Sequence, residues 1–155
     1  MRKSNQRAAR RPGIKCAPML VMRGLVNTRL ETRERMAVEA FAGGWAGFEH
    51  FDTIADMQGV LLLAGSTSDQ RKPAMIWARH TLGPVLGSIR ERYQRTGKMG
   101  CNGEELKVLR SFVSMYRDFW IKQPLALYET ACAELQRTYD RMAKAQDEQR
   151  MKEAA

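Results

Sequence analysis

A chain of 155 residues that is 44% hydrophobic and 28% charged has the size and balance of one globular domain with a buried core. Its longest uninterrupted apolar run, Val60–Ala64, falls far short of the roughly 20 residues a membrane helix needs, so neither a span nor a membrane partner is expected. The 26 basic and 17 acidic side chains leave a formal charge of +9, a balance that favours polyanionic partners.

That charge is uneven. The leading segment holds Arg2, Lys3, Arg7, Arg10, Arg11, Lys15 and Arg23 with no carboxylate among them. Pro12, Gly13 and Pro18 oppose regular structure there, because proline fixes its backbone and lacks a donor. Residues 1–26 are therefore expected to form a basic, largely irregular N-terminal arm, with the apolar stretch from Ala17 to Val26 able to dock on the body. Ala17–Met22 is shorter than the apolar core of about 7 to 15 residues in a secretory signal, so export is not expected.

Helical periodicity organises the rest. A first helix is expected from Thr28, which with Glu31 has capping-box spacing, to the Gly43-Gly44 pair, with Leu30, Ala37, Val38 and Phe41 facing inward. A second covers about 47–64, with Phe48, Phe51, Ile54, Ala55, Leu61 and Leu62 inward. Gly59 within it costs about 1 kcal/mol against Ala and implies a close helix crossing. A third covers about 73–96 and kinks or breaks at Gly83-Pro84, where proline clashes with the carbonyl one turn back. Gly97 caps it.

A fourth helix starts at Asn102, a good N-cap with Glu105 three residues on. It carries the clearest stripe: Leu106, Leu109, Val113, Tyr116 and Trp120, with Phe112 and Phe119 alongside. Pro124 opens a fifth in its first turn, with Leu125, Tyr128, Ala131, Cys132, Leu135, Tyr139 and Met142 inward. No segment alternates as a strand would. The expected fold class is all-α: a compact bundle of four to six helices over residues 27–145. A polar tail, 146–155, has little to pack and is expected to fray.

The residues of catalysis and metal binding are present but poorly spaced. Cys16, Cys101 and Cys132 are far apart, with no CxxC pair and neither His50 nor His80 at ligand spacing, so free thiols in a reducing cytoplasm and no metal are expected. Asp52 and Asp56 share one side of the second helix, but adjacent Glu49 and His50 point about 100° apart, unlike the Glu-x-x-His of di-iron bundles. Gly97-Lys98-Met99-Gly100 lacks the strand a phosphate loop needs. No enzyme activity and no cofactor are expected.

Basic residues recur inside the body. From Arg71 to Lys122 there are 11 basic and four acidic positions, while residues 24–70 hold three basic and seven acidic. Arg90, Arg92, Arg95 and Lys98 cover about two helical turns around Tyr93. With the arm they form a candidate nucleic-acid surface, whose affinity would fall steeply with salt as counterions are released. The connection from Thr96 to Asn102 is too long for a helix-turn-helix, so no strong sequence preference is expected. A rival reading is a regulator or inhibitor that binds an acidic protein partner. It rests on ten methionines, which adapt to irregular surfaces. Trp77 and Trp120 are expected in the core and Trp45, between glycines, at the surface.

Taken together, the Arg10-Arg11-Pro12 leader, the arginine-rich helix closing at Arg95-Thr96-Gly97, the Gly103-Glu104-Glu105-Leu106 helix start and the long C-terminal helices resemble small all-helical proteins of unknown function from proteobacterial phages, prophages and plasmids. The resemblance is one of layout, carries over no functional residue, and implies a mobile element. Small basic helical proteins there act as DNA-associated accessory factors or as inhibitors of host defence.

Overall fold

The computed structural model describes residues 31–153. The expected arm, with Thr28 and Leu30, lies outside them. The described residues form an all-α fold of six α-helices, two of them joined through a π turn: α1 (Glu31–Gly43), α2 (Phe48–Gly65), α3 (Lys72–Trp77), the π turn Ala78–Leu82, α4 (Gly83–Thr96), α5 (Gly103–Trp120) and α6 (Leu125–Glu153).

Each boundary has a local cause. α1 ends in a Schellman motif: Gly44 is left-handed at φ 74°, its N–H donates to Phe41 O, and the Trp45 N–H reaches back to Ala40 O at 3.0 Å. α5 starts in a complete capping box, with Glu105 N donating to Asn102 Oδ1 at 2.8 Å and Asn102 N donating to Glu105 Oε2 at 2.7 Å. α4 closes on left-handed Gly97, whose N–H donates to Tyr93 O at 2.8 Å.

The kink expected at Gly83-Pro84 takes a specific form. The five residues just ahead of the proline wind as a π turn, and Gly83 N–H donates to Ala78 O. Widening the turn here relieves the contact between the proline ring and the preceding turn. Gln58 Nε2 of α2 adds a second bond to the same Ala78 oxygen at 2.8 Å, which ties the bend to its neighbour.

α2 is the central element and packs on α1, α3, the π turn and α6. Its buried residues are Thr53, Ile54, Met57, Val60, Leu61, Ala64 and Gly65. The inner face is thus rotated from the expected one: Phe51, Ala55 and Leu62 are only half-buried and Phe48 is exposed. The expected crossing at Gly59 is present. A Cβ there would lie 2.8 Å from Leu135 Cδ1 of α6. α5 supplies Leu109, Phe112, Tyr116 and Trp120 to the core, with Trp77 stacked parallel to Phe112 at 6.3 Å.

α6 departs from expectation at its far end. Only Ala131 is fully buried, Tyr139 and Met142 are exposed, and the helix continues unbroken past residue 146 to Glu153. Among the described residues no helix is long and apolar enough to cross a membrane.

Candidate nucleic-acid interface

The candidate residues of α4 follow from its geometry. At 100° per residue, Leu86 and Ile89 face the core and both are buried. Arg90 and Arg92 then lie on opposite flanks, with Arg95 outward near Arg92 and Glu91 between Arg90 and Arg95. The four expected cations therefore do not share one face.

Arg92 is turned inward. Its Nη1 and Nη2 donate to Glu105 Oε2 and Oε1, both at 2.8 Å, and Nη1 also donates to Gly100 O at 2.7 Å. Glu105 is 8% exposed and accepts the Asn102 amide as well. One carboxylate thus caps α5 and clasps α4 across the 97–102 loop. The paired guanidinium holds the Glu105 carboxyl below its usual range against the opposing effect of burial, and the same bond raises Arg92. Of the expected surface cations among the described residues, Arg92 is the one the fold takes up structurally.

Arg90, Arg95 and Lys98 are exposed. Among the described residues none has a carboxylate within ion-pair distance. Arg2, Lys3, Arg7, Arg10, Arg11 and Lys15 lie outside the described residues.

Beside α4 stands an aromatic group that sequence reasoning only partly found. Trp45 is 57% exposed and Phe48 54%. The Phe48 ring meets Tyr93 of α4 edge-on at 4.6 Å. Trp45 is held from two sides. His50 abuts it edge-on at 5.0 Å, and the indole lies so close over Gly43 that a Cβ there would sit 2.5 Å from Nε1. His50 Nδ1 accepts the Gly47 amide at 3.0 Å, which places the ring proton on Nε2. The Glu49 carboxylate, 3.3 Å from the same nitrogen, is then a neighbour and not a bonded partner. The exposure of Trp45 was legible from its flanking glycines. Phe48 was assigned to the core, because periodicity does not reveal that the first residue of a helix sits at the rim.

The described residues also line clefts, two of them away from α4. One of about 400 Å³ between α1 and α5 sets Arg35, Arg110 and Arg117 against Glu34, Glu39 and Asp118. A second, about 200 Å³, is lined by Met57, Tyr116, Tyr128, Cys132, Leu135 and Tyr139 among others. Burial pushes the Cys132 thiol and both Tyr116 and Tyr128 hydroxyls up, so all three are protonated near neutrality. Among the described residues no group of three or more His, Cys, Asp or Glu could hold a metal ion.

No family model, curated protein or solved structure matches the chain.

Proposed function

We propose that this protein is a non-enzymatic accessory factor of a mobile element. It contacts nucleic acid through its basic arm and the exposed cations of α4, without strong sequence preference. The observation that carries this reading is the contrast within α4. Arg92 is bonded to a carboxylate of the same chain, whereas Arg90, Arg95 and, just past the Gly97 cap, Lys98 have no carboxylate partner among the described residues. Solvated cations without a carboxylate partner among the described residues remain available to phosphate oxygens, and such contacts position a protein without reading bases.

The distribution of charge agrees. Eight of the 26 basic residues precede Glu31, so residues 31–153 hold 18 basic against 17 acidic side chains. Most of the net charge belongs to the arm, and α4 supplies the body's share of the contact. The test is binding to a mixed-sequence nucleic acid at about 50 and 200 mM salt, with and without residues 1–23. Neutralising six to ten phosphates predicts a loss of roughly 10³–10⁵ in affinity between those salts. Removing the arm lowers both the affinity and the salt slope. Absence of binding at the lower salt eliminates the reading.

The second reading, a regulator or inhibitor that binds an acidic protein, is favoured by α6. Its outer half exposes Tyr139, Met142 and Met151, a surface suited to an adaptable protein contact.

A further inference from the structure

We infer that the nucleic acid this protein contacts is single-stranded, with Trp45 and Phe48 serving as a platform on which unpaired bases stack. This rests on the reading of α4 as a phosphate-contacting surface and names the form of the strand.

Three observations meet at one rim of the bundle. The first is exposure. Two large aromatic rings three residues apart each keep more than half of their surface in water, whereas the other large aromatics near them, Phe41 and Phe51, are drawn toward the core. The second is order. An exposed indole gains rotamer freedom if nothing holds it, yet Trp45 lies over Gly43 at a spacing that no other residue at position 43 would allow, with His50 against its edge. Phe48 is likewise set against Tyr93. Rings fixed before binding lose little entropy when a ligand arrives.

The third is charge. Tyr93, which Phe48 touches, lies one turn after Arg90 on α4, with Arg95 on the outward side of the same helix and Lys98 beyond the Gly97 cap. None of these three cations has a carboxylate partner among the described residues. Stacking surfaces beside partnerless cations are what a single strand requires. The bases have π faces that any aromatic ring can cover regardless of sequence, and the phosphates pass along the basic edge. A duplex hides its base faces and has no use for the rings. Glu49 and Asp52 are also exposed on the first turns of α2, so the phosphates are expected along α4 rather than along α2.

The experiment uses the full chain and three probes of roughly 20 units: oligothymidylate, the same length of mixed-sequence duplex, and an abasic strand with phosphates but no bases. Binding is read by anisotropy and by quenching of tryptophan emission. Trp120 is buried and Trp77 half-buried, so a Trp45→Phe variant assigns the quench. The expected result is tighter binding to oligothymidylate than to either other probe, with quenching that Trp45→Phe removes. Trp45→Ala and Phe48→Ala are each expected to weaken oligothymidylate binding at least about fivefold, the low end for loss of one stacked base, and to leave duplex binding within about twofold. Trp45→Tyr, which keeps a ring, is expected to retain most of the affinity, and coincident thermal melts separate binding loss from unfolding. If oligothymidylate, duplex and abasic strand bind alike and the ring variants change nothing, the stacking inference is overturned while the phosphate reading stands. If no probe binds at low salt, both fall.

Discussion

Removing the Glu105 side chain should loosen the whole junction between α4 and α5, and the size of the effect follows from its bonds. Glu105 accepts two bonds from the Arg92 guanidinium at 2.8 Å and one from the Asn102 amide at 2.7 Å. Only 10% of its side chain and 30% of that of Arg92 is exposed. Hydrogen bonds to charged groups contribute about 1.5–3 kcal/mol each, but bonds that share one carboxylate do not add. Breaking a buried pair costs about 3–5 kcal/mol. Arg92 keeps its bond to Gly100 O and can turn its exposed side to water, so the low end applies. Glu105→Ala is expected to cost about 3 kcal/mol after allowance for solvent screening. Glu105→Gln retains the amide cap and one guanidinium bond and is expected to cost about half of that. Urea unfolding followed by far-UV circular dichroism gives the values. With a slope near 2 kcal/mol per molar, the alanine variant should lower the midpoint by about 1.5 M. The cycle with Arg92→Ala should show a coupling of about 1.5 kcal/mol or more. A coupling under about 0.5 kcal/mol, typical of an exposed ion pair, would refute the assignment of Arg92 to the fold.

The same pair sets a pH dependence. The folded-state pKa of Glu105 is depressed, so its contribution is complete above the unfolded carboxylate value of about 4.3 and is lost as pH falls through the folded one. The stability gap between the native chain and Glu105→Gln should therefore narrow in acid, as acid titration of both proteins would record. Gly65→Ala should destabilise by about 1–3 kcal/mol, because its new Cβ would run into Met75 Cβ and approach the Arg71 carbonyl, atoms that no rotamer change can move. Gly59→Ala meets only the end of the flexible Leu135 side chain, and the helix propensity gained, about 1 kcal/mol, should leave it near neutral by the same urea assay. Gly43→Ala should displace the indole of Trp45, visible as a change in tryptophan emission, with folding stability altered by under about 1 kcal/mol.

Those elements whose causes are local could be read from the sequence. Asn102 and Glu105 form their capping box, Gly97 and Gly44 take left-handed turns, and the stripe of α5 buries Leu109, Tyr116 and Trp120 as its spacing implies, with Phe112 in place of the half-buried Leu106 and Val113. Gly59 was informative because a glycine within a helix needs a partner that comes close. What escaped depended on neighbours far along the chain. Arg92 has the same type and local spacing as Arg90 and Arg95. Only the return of α5, which brings Glu105 beside it, distinguishes a structural guanidinium from a solvated one. The inner face of α2 was misphased because that helix is packed on several sides, so Met57 and Val60 are covered from directions a single periodic stripe does not represent. A kink or break was expected at Gly83-Pro84; that it takes the form of a π turn ahead of the proline, tied to α2 by the bond from Gln58 to Ala78 O, was not legible from spacing.

The length of α6 bears on how this molecule moves in solution. Twenty-nine residues at 1.5 Å each make a rod of about 43 Å, against about 27 Å for the 18 residues of α2 on which it leans. The 14 residues from Asp140 to Glu153 are all exposed, a projection of about 21 Å that adds drag out of proportion to its mass. A monomer of 17.7 kDa should therefore elute early from a sizing column and tumble anisotropically, as a heavier sphere would. Light scattering, which weighs particles without regard to their outline, should return the smaller figure.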